Sequence, residues 1–192
     1  MHFQACSDAP PLLTLEVTSE MRRGAPEKED RTLAGHLGTH FDVMDKEFPL
    51  EYTRREGVAF DVSAIRDRDI EIEDVDLRSV KAGQFVAFYT GFIEEEPYGT
   101  KTYFATHPQL SHELIDALLD KGVSIIALDC SGIRRGKEHA PKDQICADRG
   151  VFVVENLIGL GALVGKEFTA HTYPVRYSGM TGLPCRVIVQ IK

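Results

Sequence analysis

Several features that would assign a protein to a class at once are missing from this sequence. No apolar run approaches the roughly 18 residues of a membrane-spanning helix, so we expect no transmembrane segment and no membrane partner. The apolar segment 157–164 is short and is interrupted by glycines. Residues 1–17 contain neither a basic start nor a long apolar core, so we expect no signal peptide.

Cysteine is sparse and tryptophan is absent. The four cysteines are scattered and form no C-x-x-C pair: Cys6, Cys130, Cys146 and Cys185. This distribution indicates free thiols rather than a disulfide framework, and hence a cytoplasmic protein. With no tryptophan, 10 phenylalanines and 6 tyrosines, the aromatic residues do not define the shape of a substrate pocket.

Basic residues are in the minority. The chain has 22 Lys and Arg against 30 Asp and Glu, a formal net charge of −8. Because binding a phosphate backbone needs a basic surface, we expect no nucleic-acid partner. The 192 residues are 43% hydrophobic and suffice for one domain with a core. No linker, repeat or low-complexity tract divides them, so we expect a single domain spanning residues 1–192.

The local patterns predict an α/β protein with a mixed sheet. We predict strands at Leu12–Val17, Val58–Val62, Gln84–Tyr89, Ser124–Leu128, Val151–Glu155 and Arg186–Ile191. The clearest helix is Ser111–Lys121, because its leucines recur at helical spacing and Gly122 suits the position after its end. A second short helix is expected at about 73–80. Residues 130–150 are rich in polar residues and glycine, and we expect a long, functional loop there.

The segment from His36 to Asp42 is the most informative stretch of the chain. It places His36, His40 and Asp42 at offsets 0, 4 and 6 around Gly38. Two imidazoles and a carboxylate are a typical set of ligands for Zn²⁺ or Mn²⁺. On a helix the third offset would point away from the first two, whereas on an extended segment all three share one face. We therefore expect this segment to be extended.

Two further carboxylates are candidates for the same site. Glu155 ends the apolar run 151–154, and a carboxylate at the end of a buried strand is costly unless it is paired, hydrogen-bonded or coordinated. A buried ion-pair partner is the alternative interpretation of Glu155. Asp143 lies in the segment before that strand, where it is either a ligand or a solvated loop residue.

Taken together, these motifs resemble the cyclase family, which includes bacterial kynurenine formamidases and isatin hydrolases. The resemblance rests on His36-x-Gly38-Thr39-His40-x-Asp42, on Thr90-Gly91, and on Glu155-Asn156-Leu157. It extends through the helix, strand and aspartate of 108–129 and the closing segment 173–186, in the same order along nearly the whole chain.

The resemblance implies both a fold and an activity. It implies a single-domain swivelling β/β/α fold, a homo-oligomer such as a dimer or tetramer, and a divalent metal, Zn or Mn. It assigns metal ligation to His36, His40, Asp42 and Glu155, and the counterpart of Asp42 can bridge two metals in family members. The implied reaction is hydrolysis of an amide, lactam or ester, as in an arylformamidase, with Asp42 and Glu155 moving protons.

Two positions depart from the family pattern. The histidine expected four residues after Asp42 is Lys46, and the histidine expected twelve residues before Glu155 is Asp143. Asp143 can still ligate a hard ion, so we retain it as a fifth metal ligand. Lys46 is a candidate base with a depressed pKa or a replacement for a second cation, against a structural or surface lysine.

The other histidines are candidate substitute ligands, with surface positions as the favoured alternative: His107, His112, His139 and His171. Of these, His139 is the strongest candidate, because it lies in the segment 130–150. Two functions stay open. One is a metal-dependent hydrolase acting on a small molecule, and the other is a diverged, non-catalytic small-molecule-binding protein on the same fold. Restoring Lys46→His together with Asp143→His would separate them.

Overall fold

The computed structural model describes residues 13–16 and 35–192. The strands are β1 (Leu13–Glu16), β2 (His40–Asp42), β3 (Arg54–Asp61), β4 (Phe85–Tyr89), β5 (Ile125–Leu128), β6 (Phe152–Glu155), β7 (Phe168–Pro174) and β8 (Gly182–Ile191). The α-helices are α1 (Phe92–Glu95), α2 (Lys101–Thr106), α3 (His112–Asp120) and α4 (His139–Asp148). Short 3-10 helices lie at Leu50–Thr53, Ile72–Asp74, Leu77–Ser79, Gly136–Glu138 and Leu160–Leu163.

The predicted mixed sheet is present, but it closes on itself into a barrel. Around the barrel the order is β8-β2-β6-β5-β4-β3-β7, and β7 pairs with β8 to complete the circle. Strands β3, β4, β5 and β6 are mutually parallel, whereas β2, β7 and β8 join by antiparallel pairing. The two ends of the predicted strand Leu12–Val17 lie outside the described residues, and its centre, β1, pairs with the end of β8.

The barrel has a hydrophobic core on each side of its wall. Along β4, Phe85 and Ala87 pack in the inner core, while Val86 and Phe88 pack in the outer core beneath the helices. Successive side chains of a strand point to opposite faces, so a strand buried on both faces needs a continuous apolar run. This explains why β4, β5 and β6 lack apolar–polar alternation.

The predicted helix Ser111–Lys121 is confirmed as α3. The hydroxyl of Ser111 accepts a hydrogen bond from the Leu114 amide at 3.1 Å and caps the helix start. Leu114 and Leu118 are fully buried in the outer core, each contributing about 1.5–3 kcal/mol of burial free energy. Gly122, at a φ of +67°, follows the helix end as expected.

Two predictions of secondary structure are wrong. The single helix expected at about 73–80 is two separate 3-10 helices, Ile72–Asp74 and Leu77–Ser79. The segment 130–150, expected as a loop, contains α4. Helix α4 buries Lys142 and Asp143 beside Cys146 and Ala147, so its buried face is partly polar and shows no apolar periodicity. In the described part of the chain, no helix is long and apolar enough to span a membrane.

Candidate metal centre

Six side chains converge near the carboxyl end of β6. The ligand atoms of His36, His40 and Asp42 form one group, and those of Asp42, His139, Asp143 and Glu155 form a second. Within each group the ligand atoms lie within 4.8 Å of one another. Asp42 belongs to both groups and therefore joins them into one cluster.

Strand β2 and its neighbour β6 position the first part of the cluster. In their antiparallel pairing His40 lies directly opposite Glu155, and His40 and Asp42 share a face of β2 because they are two residues apart. The expectation of one extended segment fails at its start. Gly38 has a φ of +59°, and His36 precedes the strand and reaches the cluster from a turn.

The nitrogen atoms of the first group face its carboxylates. His36 Nδ1 lies 2.8 Å from Asp42 Oδ1 and 3.1 Å from His40 Nε2. His40 Nε2 lies 3.6 Å from Asp42 Oδ1 and 3.7 Å from Glu155 Oε2. The opposite ring nitrogens are held elsewhere: His36 Nε2 pairs with the Thr181 hydroxyl at 2.8 Å, and His40 Nδ1 with the Gly38 carbonyl at 2.8 Å. Both rings therefore direct their other nitrogen towards the carboxylates and towards each other.

His139 completes the second group, although surface exposure was the favoured interpretation of this residue. It begins α4, and Asp143 lies one turn later on the same helical face. His139 Nε2 is 3.1 Å from Asp143 Oδ2 and 3.1 Å from Glu155 Oε1. The i,i+4 spacing of His139 and Asp143 is the sequence signal that points to this pairing.

The buried carboxylates of the cluster have the properties expected of cation ligands. Asp42, Asp143 and Glu155 are each 1% exposed, and ionised carboxylates at such burial need pairing or coordination. Four of their oxygens make no hydrogen bond with the described residues: Asp42 Oδ1, Asp42 Oδ2, Asp143 Oδ1 and Glu155 Oε1. Two of these, Asp42 Oδ1 and Glu155 Oε1, lie within ion-pair distance of histidine nitrogens but without hydrogen-bond geometry. Imidazole nitrogens together with unpartnered carboxylate oxygens fit Zn²⁺ or Mn²⁺.

The charges of the cluster act strongly on its histidines. Burial disfavours the charged form of His40, but the close approach and charge of Asp42 and the charge of Glu155 raise the pKa of His40 to about 9. Burial likewise opposes charge on His139, but the charge of Glu155 and the close contacts with Asp143 and Glu155 raise the pKa of His139 to about 12. The negative field of three carboxylates therefore outweighs desolvation, and it attracts cationic groups in general.

The three carboxylates respond differently to the same surroundings. Burial opposes ionisation of Asp42, yet the close imidazole nitrogens of His36 and His40 hold its pKa well below the usual value. Burial, with the charges of Asp42 and Glu155, raises the pKa of Asp143 to about 7 despite its hydrogen bond to His139. Burial and the charge of Asp42 also raise the pKa of Glu155. Asp42 is thus the carboxylate most firmly ionised.

Lys46 lies outside the cluster. Its ammonium pairs with Asp148 Oδ1 at 2.7 Å and Asp45 Oδ1 at 3.0 Å, and its side chain is 36% exposed. The hydrogen bonds that its ammonium donates to Asp148 and Asp45 raise the pKa of Lys46. The expectation of a depressed pKa is therefore wrong, because the lysine faces surface carboxylates rather than a cation. These contacts match the alternative of a structural or surface lysine.

The remaining histidines are not members of the cluster. His112 is half exposed and lies 3.6 Å from Glu138, and His171 pairs with Gln190 at 3.1 Å. His107, for which a surface position was favoured, is buried. Its Nδ1 lies 2.8 Å from the Pro108 carbonyl, and burial lowers its pKa to about 4.

Residues around the cluster hold the strand ends in place. Asp129, just after β5, accepts hydrogen bonds from the Thr90 amide at 2.9 Å, the Thr90 hydroxyl at 2.5 Å and the Gly91 amide at 2.7 Å.

Gly132, at a φ of +110°, passes so close to the cluster that a Cβ there would lie 3.0 Å from His139 and 3.2 Å from Glu155. The backbone itself therefore forms part of the wall of the cluster.

Comparison with known proteins assigns the chain to a family. The Cyclase family model matches residues 8–134, which is more than half of the sequence, so the chain belongs to the Cyclase family. None of the curated proteins compared with the chain matches it.

Solved structures share the fold over nearly the full length. A potential metal-dependent hydrolase with cyclase activity superposes with a TM-score of 0.78 at 20% identity, covering 95% of this chain and 99% of that one. Isatin hydrolase A from Labrenzia aggregata, bound to benzyl benzoate, gives a TM-score of 0.77 at 16% identity, with 94% of each chain covered. Isatin hydrolase A from Ralstonia solanacearum gives 0.70 at 17% identity, covering 99% of this chain and 86% of that one. At these identities the likeness establishes the fold alone.

Proposed function

We propose that this protein is a metal-dependent hydrolase that cleaves an amide, lactam or ester of a small molecule. The observation that carries the proposal is the cluster of three buried carboxylates and three histidines, in which four carboxylate oxygens make no hydrogen bond with the described residues. Family membership and the names of the structural relatives, which include isatin hydrolases, support the same reaction class.

The cluster provides two sets of candidate ligands. His36 Nδ1, His40 Nε2 and Asp42 would form a nitrogen-rich set, and Asp42, His139, Asp143 and Glu155 an oxygen-rich set. A bound Zn²⁺ or Mn²⁺ would polarise a substrate carbonyl and lower the pKa of water, which supplies the nucleophile. Asp143 keeps the ligand role that we expected of it, and His139 joins the set.

Proton transfer is assigned to the carboxylates. Asp42 Oδ2 and Glu155 Oε1 are buried and make no hydrogen bond with the described residues. Glu155, whose pKa is raised whereas that of Asp42 is lowered, is the stronger base of the two and can accept a proton from water and return it to a leaving group. We do not extend this role to Lys46, because Asp45 and Asp148 hold its ammonium and stabilise the charged form.

The test combines metal content with hydrolysis. Protein purified without chelator is analysed by inductively coupled plasma mass spectrometry and then assayed with aryl formamides, isatin-like lactams and lactones. We expect bound Zn or Mn and hydrolysis of at least one class, with both lost in His40→Ala and metal affinity reduced in His139→Ala. His112→Ala removes a histidine paired only at the surface with Glu138, and it should change neither readout. A wild-type protein that takes up no Zn²⁺ or Mn²⁺ would refute the proposal.

The non-catalytic alternative was motivated by Lys46 and Asp143. In this structure Asp143 and His139 lie together beside Glu155, so the second ligand set keeps a histidine from another position of the chain. We therefore favour the enzyme. If Lys46→His with Asp143→His creates metal binding that the wild type lacks, the binding protein is the better description, whereas loss of existing activity supports the hydrolase.

We also propose that the chain forms a homo-oligomer. Large apolar side chains are exposed at the end of β7 and in the segment after it: Tyr173 is 55% exposed, Val175 45% and Tyr177 61%. Light scattering after size exclusion would give the number of subunits, and a monomer would contradict this proposal without affecting the metal centre.

A further inference from the structure

Asn156 has no role in the ligand set, yet it occupies an unusual position directly after Glu155. It is 1% exposed and has a φ of +58°, a left-handed conformation that asparagine tolerates better than most residues. Its backbone amide donates to the Cys130 carbonyl at 3.1 Å, and its backbone carbonyl accepts from the Thr39 hydroxyl at 2.8 Å. The residue therefore ties the end of β6 to both β5 and the segment that leads into β2.

The side chain of Asn156 holds a carbonyl that also holds His40. Its Nδ2 donates to the Gly38 carbonyl at 2.9 Å, and its Oδ1 accepts from the Tyr103 hydroxyl at 2.7 Å. The same Gly38 carbonyl lies 2.8 Å from His40 Nδ1. A carbonyl oxygen has two lone pairs and can only accept, so His40 Nδ1 carries the proton of this contact. His40 Nε2 is then the nitrogen whose lone pair is available to a metal.

From this chain of contacts we infer that Asn156 and Tyr103 are positioning residues for the metal ligand His40. The Tyr103 hydroxyl orients the Asn156 amide, the amide fixes the Gly38 carbonyl, and the carbonyl fixes the Nδ1–H form of the His40 ring. Gly38 is held on its other side as well, since its amide donates to the Tyr98 hydroxyl at 3.0 Å. Hydrogen-bond partners behind a histidine ligand commonly set its orientation and affect metal affinity.

This inference rests on the proposed metal centre, but it predicts a property of His40 that can be measured in the metal-free protein. In the wild type, the His40 Nδ1 proton is buried against Gly38 and should exchange slowly with water. It should appear in ¹⁵N-resolved NMR spectra both before and after Zn²⁺ is added. His40→Ala identifies the resonance.

Two substitutions interrupt the chain of contacts at different points. Asn156→Asp keeps the shape and the acceptor for Tyr103 but faces the Gly38 carbonyl with a second acceptor. Tyr103→Phe removes only the hydroxyl that orients the amide. We expect both to speed exchange of the His40 Nδ1 proton and to weaken Zn²⁺ binding by about 10-fold or more, the size found for such partners elsewhere.

Tyr52→Phe is the matched control. The Tyr52 hydroxyl also donates to a backbone carbonyl, that of Gly150 at 3.0 Å, but at the opposite end of β6. It should change neither proton exchange at His40 nor zinc affinity. A folded Asn156→Asp variant with wild-type exchange and wild-type zinc affinity would overturn the inference. If the wild type binds neither Zn²⁺ nor Mn²⁺, the proposed function fails, while the exchange measurement still decides whether Asn156 and Tyr103 position His40.

Discussion

Gly132 offers a direct test of how tightly the backbone encloses the cluster. Its φ of +110° is unfavourable for any residue with a Cβ, and an added Cβ would lie 2.9 Å from the Arg134 carbonyl oxygen and 3.0 Å from His139 Cε1. Gly132→Ala therefore combines backbone strain with a collision against a candidate ligand. Gly136→Ala is the matched control, because Gly136 also has a positive φ, +59°, but nothing lies within 4 Å of the added Cβ.

The expected magnitudes follow from these geometries. Strain alone in Gly136→Ala should cost about 1–2 kcal/mol of unfolding free energy. Strain and the backbone contact in Gly132→Ala should together cost about 3 kcal/mol or more. For a chain of this length each kcal/mol lowers Tm by about 2–4 °C, so the two variants should differ by several degrees.

The two variants should also differ in metal binding. In Gly132→Ala, His139 must move away from the new methyl group, and we expect zinc affinity to fall by about 10-fold, whereas Gly136→Ala should keep wild-type affinity. Differential scanning fluorimetry gives Tm, and competition with a zinc-binding dye gives affinity. Equal effects of the two substitutions on both readouts would refute the claim that Gly132 forms a wall of the cluster.

Three further outcomes are expected. His40, whose pKa is raised to about 9, and His139 must lose protons before they bind a metal, so metal affinity should fall as the pH is lowered below about 9. Calorimetry in buffers of different ionisation enthalpy should detect the released protons. A metal affinity that does not depend on pH would argue against histidine ligands. Lys46→Met should leave metal content and hydrolysis unchanged, since the ammonium of Lys46 is paired with Asp45 and Asp148. A large loss of kcat in this variant would instead show that Lys46 acts in catalysis. Leu118→Ala, in the fully buried outer core, should cost about 2–5 kcal/mol in chemical denaturation with unchanged metal affinity in the folded state.

The parts of the fold that depend on local pattern could be predicted from the sequence. Helix α3 has an apolar face and a capping serine, and the cores of β4, β5 and β6 are continuous apolar runs. The closure of the barrel could not be predicted in the same way. It depends on pairing between β7 and β8, which is set by long-range packing, and β7 alternates buried and exposed residues too irregularly to stand out.

In the candidate site, too, the residues in local motifs could be predicted from the sequence, whereas those placed by long-range packing could not. The motif at 36–42 predicts His40 and Asp42, and the end of an apolar strand predicts Glu155. Pairing of β2 with β6 brings the three residues together. His139 was given too little weight because its position depends on α4, a helix whose polar buried face hides its periodicity. The motif leaves both roles open for Lys46, because its position in the sequence does not reveal that the surface carboxylates of Asp45 and Asp148 hold its ammonium.

The central claim is that the cluster around Asp42 holds a divalent metal. The most direct measurement is anomalous diffraction, recorded on either side of the zinc absorption edge, from crystals of the zinc-loaded protein. We expect an anomalous peak within coordination distance, about 2.0–2.2 Å, of Asp42 and of at least one of His36, His40 and Glu155. Zinc-loaded crystals with no peak among these side chains, or with zinc bound only elsewhere on the chain, would contradict it.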